Sequence, residues 1–161
     1  MTTFIFDLDH TVIDSSHRQI TLADGSLDLN NWIENCTKEK IMADKLLPLA
    51  DHWRAIDAKM SQHEIIVCTA RVMGEHDYDF LALHGLKAAA ILSRPLGDRS
   101  GDADLKERLL REYAWDTARS WARFSRNACI YDDNLNVLSR LASIGIAVYN
   151  ATSLNASLKA A

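Results

Sequence analysis

Two aspartates stand one residue apart where an apolar run ends: Thr3-Phe4-Ile5-Phe6 leads into Asp7-Leu8-Asp9-His10-Thr11. Carboxylates that close resist ionising together unless a cation lies between them. Their hard oxygens suit Mg²⁺. One carboxylate can then attack an electrophile while the other moves a proton. Three further polar clusters follow. The apolar run Glu64-Ile65-Ile66-Val67-Cys68 ends in Thr69-Ala70-Arg71, Lys106 lies in a polar stretch, and Ala128-Cys129-Ile130-Tyr131 ends in Asp132-Asp133.

The elements that must position these residues are legible from periodicity and turn chemistry. Strands are expected at 3–7, 64–68, 88–92, 128–131 and 146–149. Helices are expected at 31–40, at 44–60 with Pro48 in the first turn, at 75–84 before Gly85, at 102–125 as one or two helices, and at 134–144 before Gly145. Short apolar strands alternating with helices imply an α/β fold with a parallel sheet covered on both faces. Ligands of such sheets bind beyond the strand C-ends, where Asp7, Asp9, Thr69, Arg71, Asp132 and Asp133 fall.

The 161 residues fit one domain, 1–161, with a single good core. A net charge of −4 argues against a protein whose main task is coating polyanions. Cys36, Cys68 and Cys129 lack metal-type spacing and read as free thiols in a reducing compartment. No apolar run approaches transmembrane length, and the N-terminus carries neither a basic segment nor an apolar stretch of signal type. The expected location is cytoplasmic, with no membrane partner. Segment 14–43, polar and marked by the turn signal Asp24-Gly25, is too short for a core of its own and reads as a small lid or flap.

The four clusters, in this order, resemble the motifs of the haloacid dehalogenase superfamily of phosphatases. That resemblance implies a Rossmann-like three-layer α/β/α sandwich with a central parallel sheet of about five strands, and here no large cap domain. It implies that Asp7 is the nucleophile, forming an aspartyl-phosphate, and that Asp9 protonates the leaving oxygen and then activates water. Thr11, Thr69 and Arg71 are expected to hold phosphate, the last through its planar fork. Asp7, Asp9, Asp132 and Asp133 are the expected Mg²⁺ site, with Asp132 and Asp133 sharing, in either order, contact with the ion and orientation of Lys106. His10 stands where the superfamily most often has glycine, and either reaches substrate or points to solvent. Asn134 fits a helix N-cap better than a place beside the metal.

The stretch Ser93 to Glu107 is similar to the third-motif region of the phosphatase domain of phage-type polynucleotide kinases. Arg94, Gly97, Asp98, Asp102, Lys106 and Glu107 match its frame, whereas Arg99 sits one place early. Lys106 would neutralise the nucleophile and the phosphoryl oxygens, and Arg94 and Arg99 would bind substrate at the rim. No phosphate loop of the Gly-x-x-x-x-Gly-Lys-Ser/Thr type occurs, so kinase activity is not expected. The resemblance points to a Mg²⁺-dependent phosphomonoesterase acting on the 3′-phosphate of nucleic acid ends or nucleotides, with a nucleotidase or small-metabolite phosphatase as the alternative. Of the four tryptophans, Trp53, Trp115 and Trp121 fit helix packing, and Trp32 in the lid is the candidate for base stacking.

Overall fold

The computed structural model describes residues 1–25, 27–59 and 63–160. Along the chain the strands are β1 (Thr2–Phe6), β2 (Ile13–Asp14), β3 (Lys45–Leu46), β4 (His63–Thr69), β5 (Ala90–Ser93), β6 (Ala128–Asp132) and β7 (Ala147–Asn150). The helices are α1 (Leu29–Glu34), α2 (Lys38–Met42), α3 (Leu49–Asp57), α4 (Glu75–Leu83), α5 (Asp102–Asp116), α6 (Trp121–Arg126), α7 (Leu135–Ser143) and α8 (Ala151–Ala160). Five strands form one parallel sheet in the order β5-β4-β1-β6-β7. β1 is therefore central, between the two strands that end in the other polar clusters.

Alternation along the strands builds two cores. Phe6, Ile65, Val67 and Tyr131 face one way, against Trp53 of α3, Phe80 of α4 and Ala151 of α8. Ile5, Ile66, Cys68 and Ile130 face the other, against Leu110 of α5, Phe124 of α6 and Leu141 of α7. The result is the three-layer α/β/α sandwich expected. Phe6, the residue before Asp7, stacks on both Trp53 (4.9 Å between ring centroids) and Tyr131 (4.7 Å). None of the helices among the described residues is long and apolar enough to cross a membrane.

Local chemistry moves some expected boundaries. The helix expected from residue 44 begins at Leu49. Lys45 and Leu46 instead pair with Asp14 and Ile13 as an antiparallel β-ladder, and Leu47 N–H donates to the Val12 carbonyl. Pro48, which lacks an N–H, stands at the N-cap. The far end of that expectation, Met60, lies outside the described residues. The single helix expected at 31–40 is two: α1 ends at Glu34, and Thr37 caps α2 by accepting from Lys40 N–H. α8 has no counterpart among the expected elements. Segment 14–43, whose Ser26 also lies outside the described residues, is tied to the body rather than loose. Ile41 joins the main core, and Arg18 and Asn35 are buried.

Candidate active site

Asp7 follows directly on β1, where its N–H donates to the Tyr131 carbonyl of β6 (3.0 Å). That bond fixes the residue at the sheet's C-terminal edge beside Asp132, the last residue of β6. Lys106 reaches both from α5. Its Nζ donates to Asp7 Oδ1 at 2.7 Å and to Asp132 Oδ2 at 2.6 Å, and all three side chains are buried. Asp132 Oδ1 accepts from the Asn134 N–H (2.9 Å). Asn134 also caps α7 by accepting from Asn136 N–H (3.0 Å), in line with the N-cap expectation.

Asp7, Asp132 and Asp133 each present a carboxylate oxygen within 4.8 Å of the others. One ammonium stands against three carboxylates. Burial pushes the Asp7 carboxyl up to about 7, with Lys106 opposing, and burial also raises Asp132 and Asp133. The same contacts, with Asp7 foremost, raise the Lys106 ammonium against its own burial. A donor set of hard oxygens with uncompensated negative charge fits a divalent cation such as Mg²⁺.

Asp9 lies apart from that trio. Its oxygens accept from Arg71 Nε (3.0 Å) and Nη2 (2.5 Å) and from the Ser15 hydroxyl (2.6 Å). Burial alone would raise this carboxyl, but Arg71 and Ser15 together hold it below its ordinary value. The Asp9 carboxylate, expected among the metal ligands, stands outside the Asp7, Asp132 and Asp133 group, with both oxygens accepting from Arg71 and Ser15.

Arg71 is likewise not an open fork awaiting phosphate. Nη1 donates to Asp77 Oδ1 (2.5 Å), the other two nitrogens hold Asp9, and Asp44 lies 3.8 Å from Nη2. Asp44 is itself held by Arg18 Nε (2.9 Å) and Nη2 (3.0 Å) and by His17 (2.8 Å). Arg18, Asp44 and Asp77, and Ser15 beside them, carry no sequence signal that sets them apart. In a polar segment a buried charge reads like a solvated one.

Thr69 is buried at the end of β4, and its hydroxyl accepts from Arg71 N–H (3.2 Å). Thr11 is fully buried, and its hydroxyl has no hydrogen-bond partner among the described residues. Its carbonyl accepts from Asn155 Nδ2 (2.9 Å), and Asn155 Oδ1 accepts from Leu49 N–H (2.9 Å). α8 thereby pins the Asp7–Thr11 turn to α3. His10 is exposed, takes the left-handed φ of 57°, and pairs with Gln19 (2.9 Å between Nε2 and Oε1). That backbone region is one glycine enters freely.

The two rim arginines part company. Arg94 is spent on its own loop: it donates to the carbonyls of Ala70 (2.9 Å) and Ser100 (2.8 Å) and to Asp102 Oδ1 (2.7 Å). These bonds tie Arg94 to the loop ahead of α5, whose first residue is Asp102. Arg99 is exposed, as a rim contact requires.

The five-stranded parallel sheet with carboxylates at its strand ends has the fold of haloacid dehalogenase-like hydrolases. Solved structures of that kind superimpose on the chain. A haloacid dehalogenase-like hydrolase from Streptococcus pneumoniae matches with a TM-score of 0.64 at 13% identity, covering 93% of this chain and 84% of its own. The Pnkp1/Rnl/Hen1 complex contains a chain that matches at 0.63 and 18% identity, covering 94% of this chain and 45% of that one. A family enzyme from Bacteroides thetaiotaomicron, solved with magnesium and inorganic phosphate, matches at 0.51 and 9% identity over 93% of each chain. The family model described as bacteriophage T5 5′-deoxynucleotidase matches residues 1–161. The 5′-deoxynucleotidase of Escherichia phage T5 is 32% identical over 168 aligned positions, covering 94% of this chain and 67% of that protein. The chain belongs to the bacteriophage T5 5′-deoxynucleotidase family.

Proposed function

We propose that the chain hydrolyses the 5′-phosphate of deoxynucleoside monophosphates through an aspartyl-phosphate on Asp7. The observation that carries this reading is Asp7 itself: a buried carboxylate at the end of the central strand, held by Lys106 and next to Asp132 and Asp133, in a chain matched along its whole length by a deoxynucleotidase family. An Asp7 oxygen attacks phosphorus and the bond to the ester oxygen breaks; Asp9, which Arg71 holds ionised and which must therefore first take a proton from solvent, passes that proton to the departing nucleoside oxygen. Asp9 then takes a proton from the water that attacks the acyl-phosphate, releasing inorganic phosphate and restoring Asp7. The Arg71 pair favours the ionised Asp9 that this second step requires. Lys106 balances charge on the nucleophile and the transferring group. Asp7, Asp132 and Asp133 would hold Mg²⁺, which when bound supplies Lewis-acid neutralisation of phosphoryl oxygens. Ser15 and Arg18, ahead of α1, close the Asp9 side as part of the lid segment.

The alternative is removal of a 3′-phosphate from a polynucleotide end. Its support is the Ser93–Glu107 frame and the exposed Arg99. Against it stands Arg94, committed to its loop. Phosphate release from a deoxynucleoside 5′-monophosphate, the 3′-monophosphate and a 3′-phosphorylated oligonucleotide, each with Mg²⁺ and an Asp7→Asn control, separates the two. Fastest turnover of the 5′-mononucleotide is expected, with the control at least about 10⁴-fold slower. Faster turnover of the oligonucleotide would replace this reading with the 3′-end one.

A further inference from the structure

We propose that Trp32 is the specificity-determining residue that contacts the nucleobase of the substrate. This deepens the mononucleotide reading above and rests on it. The proton from Asp9 goes to the leaving oxygen, so the nucleoside departs on the Asp9 side of the phosphorus, opposite the Asp7 attack. What lies on that side is Arg71, bound to Asp9 at 2.5 and 3.0 Å, and then the Trp32 ring, whose centroid is 5.5 Å from Arg71 Cζ. Trp32 is half-buried, and its indole N–H makes no hydrogen bond among the described residues.

The remaining tryptophans are placed otherwise. Trp53 is buried against Phe6, Trp121 donates its N–H to the Ile144 carbonyl, and Trp115 is exposed in the last turn of α5. The indole is also held in place. Arg18 lies 4.0 Å from its centroid and is clamped by two bonds to buried Asp44. A ring already fixed loses little freedom when a base packs on it. Leu29 and Ile33 of the same helix are exposed.

The test compares a deoxynucleoside 5′-monophosphate with base-free 2-deoxyribose 5-phosphate, both with Mg²⁺, on wild type, Trp32→Phe, Trp32→Leu and Trp32→Ala. Trp32→Ala should raise KM for the nucleotide about tenfold, the scale of one base–aromatic contact, and leave the sugar phosphate unchanged. Trp32→Phe should retain most of the preference. Trp32→Leu, which keeps an apolar side chain without the flat ring, should lose it and stands in if the alanine variant fails to fold. Equal losses on both substrates would make Trp32 a structural wall and overturn the assignment, as would no change on the nucleotide. Wild type that hydrolyses the sugar phosphate as well as the nucleotide removes the Trp32 assignment alone. Wild type that hydrolyses neither removes the mononucleotide reading and the assignment with it.

Discussion

Two buried charge clusters flank the turn after β1, and they are built to different ends. Around Asp9, the two guanidiniums of Arg71 and Arg18 meet the carboxylates of Asp9, Asp44 and Asp77, with Ser15, His17 and the Gly74 N–H supplying further donors. Around Asp7, a single ammonium meets three carboxylates, and no side-chain donor among the described residues reaches Asp133. Burial opposes charge in both places. In the first, hydrogen bonds win and hold Asp9 below its ordinary value; in the second, burial wins and Asp7, Asp132 and Asp133 rise. The first cluster has its oxygens satisfied, which positions Asp9. The second keeps lone pairs that could take a cation.

Removing the cation from each cluster should expose that difference. Arg71→Gln leaves Asp9 and Asp77 without their shared partner, a loss of about 3–5 kcal/mol for a buried pair, and added Mg²⁺ should return little of it. Lys106→Ala also destabilises, but Mg²⁺ should restore much of the lost melting temperature, because the three oxygens that remain can take the ion. Its kcat should still fall about 10²–10³-fold, since charge aimed at the transition state is gone. Thermal melts of both variants with chelator and with Mg²⁺ decide this. Rescue of the arginine variant, or none of the lysine variant, would mean the clusters are not different in kind.

The legible part of this site was the part written at strand ends. Apolar runs of period two ending in Asp7, Thr69 and Asp132 announce their own placement, because a parallel sheet brings its C-terminal edges together. Lys106 was legible through its loop frame. The arginine cluster was not. Arg18 and Asp44 flank a segment that reads as polar and irregular, and their burial depends on Ile41 entering the core and on the short β2–β3 ladder. Neither leaves a periodic trace. Arg94 shows the converse: a motif frame does not say that a guanidinium is engaged by Ala70, Ser100 and Asp102.

The surplus charge should also appear in the pH dependence of the ion-free protein. A carboxyl whose folded pKa lies above its unfolded value contributes stability that is full below the unfolded value, near 4, and is lost as pH rises through the folded one. For Asp7 that window extends to about 7, and Asp132 and Asp133 act in the same direction. Asp9, Glu64 and Glu107 are shifted down, so their contributions are already complete above the ordinary carboxylate range. In chelator the melting temperature should therefore fall between pH 5 and about 8, and saturating Mg²⁺ should flatten the slope. A melting temperature that climbs across this range in chelator would show that the trio is not under charge strain.

The smallest expected effect lies outside both clusters, at the rim. Arg94→Ala should lower kcat on every substrate alike, because it loosens the loop that feeds α5 and Lys106. Arg99 is exposed, and surface substitutions of that kind usually stay within about 0.5 kcal/mol. Arg99→Ala should leave kcat/KM for a 5′-mononucleotide within about twofold, and it should be equally silent on a 3′-phosphorylated oligonucleotide. Were the chain to act on polynucleotide ends, Arg99 would face backbone phosphate. The variant would then lose oligonucleotide turnover selectively, and the slope of log(kcat/KM) against log salt would shrink by about one. Salt titrations of the two substrates on wild type and Arg99→Ala thus separate a protein that admits a single nucleotide from one that grips a strand.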